Sequence, residues 1–171
     1  MNVLDAVKRP AFDSARASDP HAPALWAYAV RLGASPEDAA DAVQEALTRL
    51  LQQEATGTSV QNRKAWLYSV VHHQVIDGYR WRKRLNELTN RLAGLRESRV
   101  DSAAPNDPDD EVWAAVDSLS ERQRAAVYLR YRADLDFKAV ATVLGVSESA
   151  ARSYVSKALV HLETMLEGSV R

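Results

Sequence analysis

The segment that most constrains the fold is DFKAVATVLGVSESAARSYVSKALVHL, Asp136 to Leu162, in which two stretches of helical apolar spacing meet across one glycine. Asp136 is a capping residue type, and Phe137, Val140, Ala141 and Leu144 follow it on one face. Gly145 supplies the stop, because many helices end in a left-handed residue that glycine adopts without steric cost. Ser147 then caps a second helix, whose Ala151, Val155, Ala158, Leu162 and Leu166 keep the core spacing. Upstream, Ser120 and Gln123 form the capping-box pattern of a third helix. Three helix starts in succession, the last two over a short glycine-containing turn, predict a helix-turn-helix whose second helix enters the major groove of DNA.

The rest of the chain is also helical in its apolar spacing. After a polar start, Ala24 to Leu32 predicts a short helix. Ser35 as cap, Pro36 at the first helical position and Asp38 three residues after the cap begin another. Ala39, Val43, Ala46, Leu47, Leu50 and Leu51 are its expected buried stripe, with Asp41, Gln44, Glu45 and Thr48 on the opposite side. Thr56 to Asn62 predicts a loop, and a long helix starts at about Arg63. Arg96 to Val112 has two prolines, many acids and few large apolar groups, so it buries little and predicts a linker. The expected fold class is therefore all-α, with two small helical domains. A disordered or frayed start covers 1–22, a first domain 23–94, an acidic flexible linker 95–112 and a helix-turn-helix domain 113–171.

Several function classes are excluded. With no cysteine there is neither a disulfide framework nor a thiolate metal site. The N-terminus lacks a signal-peptide core, and apolar runs of a few residues cannot span a bilayer, so a soluble cytoplasmic protein is expected. His72 and His73 diverge by about 100° on a helix and have no third ligand at the next turn, which argues against a metal site. There is no phosphate-cradling glycine loop and no nucleophile motif, so neither catalytic residues nor a cofactor are expected.

Charge is distributed unevenly in a chain whose formal net charge is -1. Arg63 to Arg84 holds six Arg or Lys against one acid, whereas Glu97 to Asp117 holds seven acids against one Arg. On the last helix Ser149, Arg152, Ser153, Ser156 and Lys157 share one polar face opposite the apolar stripe, with Ser147 at its start. Short serines admit close approach to DNA, Arg152 suits a bidentate guanine contact and Lys157 a phosphate. The long helix, WLYSVVHHQVIDGYRWRKR from Trp66 to Arg84, is less clean. Leu67, Val70, Val71 and Val75 fit a core, but Trp66, Tyr68, Tyr79 and Trp81 spread around the wheel. Rings beside cations suit single-stranded nucleic acid, while basic groups at a helix C-terminus also complement its dipole. Periodicity leaves both explanations open. The acidic pair Asp41 and Glu45 is mildly destabilising in an isolated helix and hints at a basic partner.

Three motifs in this order resemble the extracytoplasmic-function group of the bacterial sigma-70 family. DAADAVQEAL is similar to the family's D-x-x-Q-E polymerase-binding helix. AWLYSVVHHQVIDGYRWRKR is similar to its minus-ten helix, and LSERQRAAVYLRYRADLDFKAVATVLGVSESAARSYVSKAL to its C-terminal helix-turn-helix domain. The resemblance, from about Ala24 to Leu166, implies a sigma factor that binds core RNA polymerase through its clamp helices and flap and directs it to promoter DNA. Asp41, Gln44, Glu45 and Thr48 would dock on polymerase. Ser59, Gln61, Asn62, Arg63, Lys64, Trp66, His73, Asp77, Arg80, Arg82, Lys83 and Arg84 would recognise and melt the minus-ten element. Ser147, Ser149, Arg152, Ser153, Ser156 and Lys157 would read the minus-thirty-five element, and the acidic linker would thread the polymerase. An anti-sigma protein is a further partner common in that family; the free protein is expected to be a monomer.

The chain departs from the family pattern at His72–His73, where Arg-Asn is common. It also places Gly78 inside the helix, at about 1 kcal/mol relative to Ala. Lys138 to Ala141 replace a usually acidic pattern, and Ala150 replaces a frequent Thr. Two rival functions remain: a stand-alone helix-turn-helix regulator, and a sigma-like interaction protein that titrates polymerase or an anti-sigma protein.

Overall fold

The computed structural model describes residues 19–93 and 115–169. The first half consists of α1 (Ala22–Arg31), α2 (Pro36–Ala55) and α3 (Arg63–Ala93). After a helical turn at 115–117 come α4 (Glu121–Val127), a π-helical turn (Tyr128–Arg132), α5 (Phe137–Leu144) and α6 (Glu148–Ser169). Among the described residues there is no strand. The expected linker at 95–112 and the start as far as residue 18 lie outside the described residues.

The helix starts follow the local chemistry. Ser35 Oγ accepts from the Asp38 backbone N–H at 3.1 Å, with Pro36 in the first turn. Asn62 Oδ1 accepts from Ala65 N–H at 2.9 Å and caps α3. Ser120 and Gln123 close a capping box, and Asp136 accepts from Ala139 N–H at 2.7 Å. Gly145 ends α5 in the left-handed region at φ 64°. Ser147 Oγ accepts from Ala150 N–H at 3.1 Å to start α6. The Ser35, Asn62, Asp136 and Ser147 side chains each satisfy a backbone donor that the first helical turn leaves unpaired.

Leu25, Tyr28, Val43, Leu50, Leu67, Tyr68 and Val71 form the centre of the first half. Leu51, expected in the buried stripe of α2, is 63% exposed. Ala39, Val43, Ala46 and Leu50 already complete the i, i+4, i+7, i+11 face, and Leu51 stands about 100° away from it. Trp66 is half-buried against this core. In the second half Leu129, Val140, Val143, Ala151 and Val155 are buried. Val116, Leu119, Ala158 and Leu162 form a smaller cluster with Ala115 and Val127.

The two halves share their main core. α5 packs on α3, and Tyr28 of α1 meets Tyr128 of the π-helical turn with ring centroids 5.2 Å apart. Arg31 pairs with Asp117 at 3.1 Å, and Arg124 donates to the Arg31 carbonyl at 3.3 Å. Tyr28 also stands edge-on to Tyr68 at 5.2 Å and shares a hydrogen bond of 2.8 Å with His72 Nδ1.

Candidate functional site

α2 and α3 pack side by side and leave an open groove of about 590 Å³ between them. Asp41, Gln44, Glu45 and Thr48 all line it, because residues three and four apart on a helix share a face. Asp38 stands at its α2 end, and Gln74, Gly78 and Arg82 form the α3 wall, again at steps of four. Glu45 is held by Arg49 at 2.6 Å and Thr48 Oγ1 donates to the Gln44 carbonyl at 2.9 Å, whereas Asp41 has no ion-pair partner among the described residues. Asp38 and Arg82 form an ion pair across the groove. The Ser35 hydroxyl, with Arg82 assisting and burial opposing, holds the Asp38 carboxyl below its ordinary range. Gln74, Gly78 and Arg82 were absent from the expected docking set; their four-residue spacing was the available signal.

α3 has three distinct faces. Leu67, Val71 and Val75 are buried. Gln74, Gly78 and Arg82 face α2. Trp66, His73, Asp77, Arg80 and Arg84 run down a third face at i, i+7, i+11, i+14 and i+18, with Trp66 half-buried and the others exposed. Lys83 is exposed beside this face and Lys64 is half-buried near its start. From Tyr79 to Thr89 every side chain is exposed, including Trp81 at 64%.

The helix entrance is less open to nucleic acid than its residue types suggest. Ser59 and Gln61 are exposed, but the Asn62 side-chain oxygen is committed to the α3 cap. Arg63 bridges two carboxylates, Asp19 at 2.8 Å and Glu54 at 2.6 Å, tying the start of α3 to the segment before α1 and to the end of α2. Burial would raise the Asp19 carboxyl, but the His21 backbone N–H and Arg63 hold it below its usual value.

The adjacent histidines are split by their 100° separation. His72 is only 9% exposed; burial, with His73 and Arg80 adding to it, lowers its pKa to about 4. Its partner Tyr28 is fully buried and stays protonated, because burial first and the neighbouring Tyr68 next push its pKa well up. His72 is thus a neutral core residue and makes no surface for DNA. His73 Nδ1 lies 2.6 Å from the Ser69 carbonyl, so that nitrogen must donate and the neutral ring presents Nε2 as an acceptor.

On α6, Ser147, Ser149, Arg152, Ser153, Ser156 and Lys157 are all exposed. Ser147 also serves as the helix cap. Arg152 lies with its guanidinium 4.3 Å from the Phe137 ring centroid and its Nη2 2.5 Å from Glu148 Oε1. Phe137 and Glu148, outside the expected contact set, therefore orient its central arginine. Among the described residues no group of His, Cys, Asp and Glu could hold a metal, and no helix is long and apolar enough to cross a membrane.

Both halves of the chain match known family models. Residues 18–85 match the family model "Sigma-70 region 2" and residues 109–162 match "Sigma-70, region 4". The ECF RNA polymerase sigma factor SigL of Mycobacterium tuberculosis is 31% identical over 87% of this chain and 86% of its own length. The corresponding SigF of Caulobacter vibrioides is 33% identical over 79% of this chain and 75% of its own. Among solved structures, the sigma factor RpoE of Bartonella quintana, crystallised with the anti-sigma factor NepR, superposes with a TM-score of 0.64. It is 26% identical, covering 85% of this chain and 91% of its own. Both sigma-70 regions matched in order, with a relative 31% identical over most of both chains, show the family: the chain is an extracytoplasmic-function sigma factor of the sigma-70 family, a non-enzymatic factor that directs RNA polymerase in transcription initiation.

Proposed function

We propose that the α2–α3 groove docks onto the clamp helices of core RNA polymerase, with Asp41, Gln44, Glu45 and Thr48 as its contacts. The observation that carries this reading is the convergence of these four side chains in one open groove, with Asp41 left without an ion-pair partner among the described residues. The Trp66–His73–Asp77–Arg80–Arg84 face of α3, with Lys83 and the loop at 59–62, then holds the melted minus-ten element. Bases stack on exposed ring surface and the Arg and Lys groups meet phosphates. The α6 face around Arg152 reads the minus-thirty-five element, and the polymerase flap carries that half. Residues 23–94 and 113–171 act as the two working units. Neither needs high affinity alone, because attachment to polymerase supplies effective concentration.

The protein would work in the cytoplasm as a free monomer until it meets polymerase. Its likeness to RpoE, whose structure is a complex with an anti-sigma factor, supports an anti-sigma partner here too.

Replacing Asp41, Gln44 and Glu45 together by Ala is expected to weaken binding to core polymerase by at least about thirtyfold, the effect of losing one interface hot spot. The thermal midpoint should hardly move, since Asp41 and Gln44 are exposed and Glu45 is half-buried. Unchanged polymerase affinity would remove the groove from the docking site.

A further inference from the structure

Arg82 belongs by sequence to the basic run Arg80, Arg82, Lys83 and Arg84, but its position sets it apart. It stands about 200° around α3 from Arg80, on the wall that faces α2. Its guanidinium reaches Asp38, forty-four residues away, and closes that end of the acidic groove. The path runs beside Gly78: a Cβ built there would meet nothing nearer than Arg82 Nη2, at 4.0 Å. The guanidinium thus lies back over a helix position that carries no side chain. The fold itself does not require glycine here, because its backbone is helical and an added Cβ would make only ordinary contact.

We propose that Asp38 is a further polymerase contact in the groove and that Arg82 is an internal placeholder, seated where a basic side chain of polymerase binds on docking. This rests on the groove being the polymerase-docking site. Three observations support it. Asp38 lines the same groove as Asp41, Gln44 and Glu45, so a basic helix laid along it must pass Asp38. The cation already seated there shows what the carboxylate accepts. The pair is exposed, at 44% for Arg82 and 48% for Asp38. Such pairs are weak and readily exchanged, so an incoming cation displaces Arg82 at small cost. Arg82 thereby tunes docking affinity and disfavours basic ligands that engage Asp38 alone.

The test is a double-mutant cycle on affinity for core polymerase, at fixed ionic strength and with full-length protein. Arg82→Gln is expected to tighten binding, by up to about fivefold, because the competitor is gone. Asp38→Asn is expected to weaken it by a similar factor. In the Asp38→Asn background, Arg82→Gln should give no gain, since the placeholder then has nothing to occupy. A gain that persists in that background would show a general charge effect, and a loss of affinity on Arg82→Gln would show a structural pair; either overturns the proposal. Arg82→Lys, which keeps the charge, should stay near wild type, and a full Gln-like gain there would also overturn it. The Asp41, Gln44 and Glu45 triple variant run alongside separates the two levels. If it binds normally, the docking reading fails and this proposal falls with it. If it fails to bind while Arg82→Gln has no effect, only the placeholder is wrong.

Discussion

His72 illustrates how much one residue's surroundings decide. In the sequence it is half of a histidine pair at a position where the family differs, with only His73 among the expected minus-ten contacts. In the fold only His73 remains exposed, while His72 joins Tyr28 in the shared core. A pKa lowered to about 4 from 6.5 has a definite consequence for stability. Between those values the unfolded chain binds a proton at this histidine and the folded chain does not. Stability therefore falls as pH drops from about 6.5 to about 4, by about 3 kcal/mol at most, and this contribution is flat below that window. Thermal midpoints of wild type and His72→Gln, measured across pH 7 to 4, check this: the difference between the two should vary across the window. A constant difference would mean that His72 is not held neutral.

At the scale of elements, α5 and α6 act as one unit in presenting Arg152. A long side chain on an exposed helix face has many rotamers, and the Phe137 ring together with Glu148 restricts them before DNA arrives. With holoenzyme, Arg152→Ala should lose about 1–3 kcal/mol of discrimination at one base pair of the minus-thirty-five element, the usual worth of a bidentate base contact. Phe137→Leu should lose part of it while Phe137→Tyr retains it. Competition binding with single-base variants of the element measures this, and equal loss from Leu and Tyr would mean that the ring's stacking is irrelevant. These elements were legible because their caps are local: Asp136, Gly145 and Ser147 act within three or four residues. The π-helical turn at Tyr128–Arg132 was not, since it depends on an extra residue accommodated between packed helices and closed by Ala133 N–H on the Tyr128 carbonyl. Leu51 misled for a related reason: periodicity marks an apolar residue near the stripe but not where the neighbouring helix stops covering it. On α3 the wheel looked disordered because one face is buried, one lines the groove against α2 and one is open to solvent, and only packing against α2 separates Arg82 from Arg80 and Arg84.

At the scale of the molecule, the order of parts was readable and their mutual placement was not. The capped helices and the uneven charge announced two helical halves. The seam joining them rests on contacts between residues far apart in sequence: Tyr28 with Tyr128, Arg31 with Asp117, and α3 with α5. No local pattern encodes such pairs. The surfaces proposed for docking, minus-ten contact and minus-thirty-five contact are separate and exposed on this joined body, so promoter choice is proposed to belong to the protein only in combination with polymerase. Run-off transcription with core polymerase on genomic fragments tests that assignment most directly. Discrete transcripts are expected with the wild-type protein, none with the Asp41, Gln44 and Glu45 triple alanine variant, and no tight sequence-specific duplex binding without polymerase. Transcripts that survive the triple substitution, or nanomolar sequence-specific duplex binding by the free protein, would contradict it.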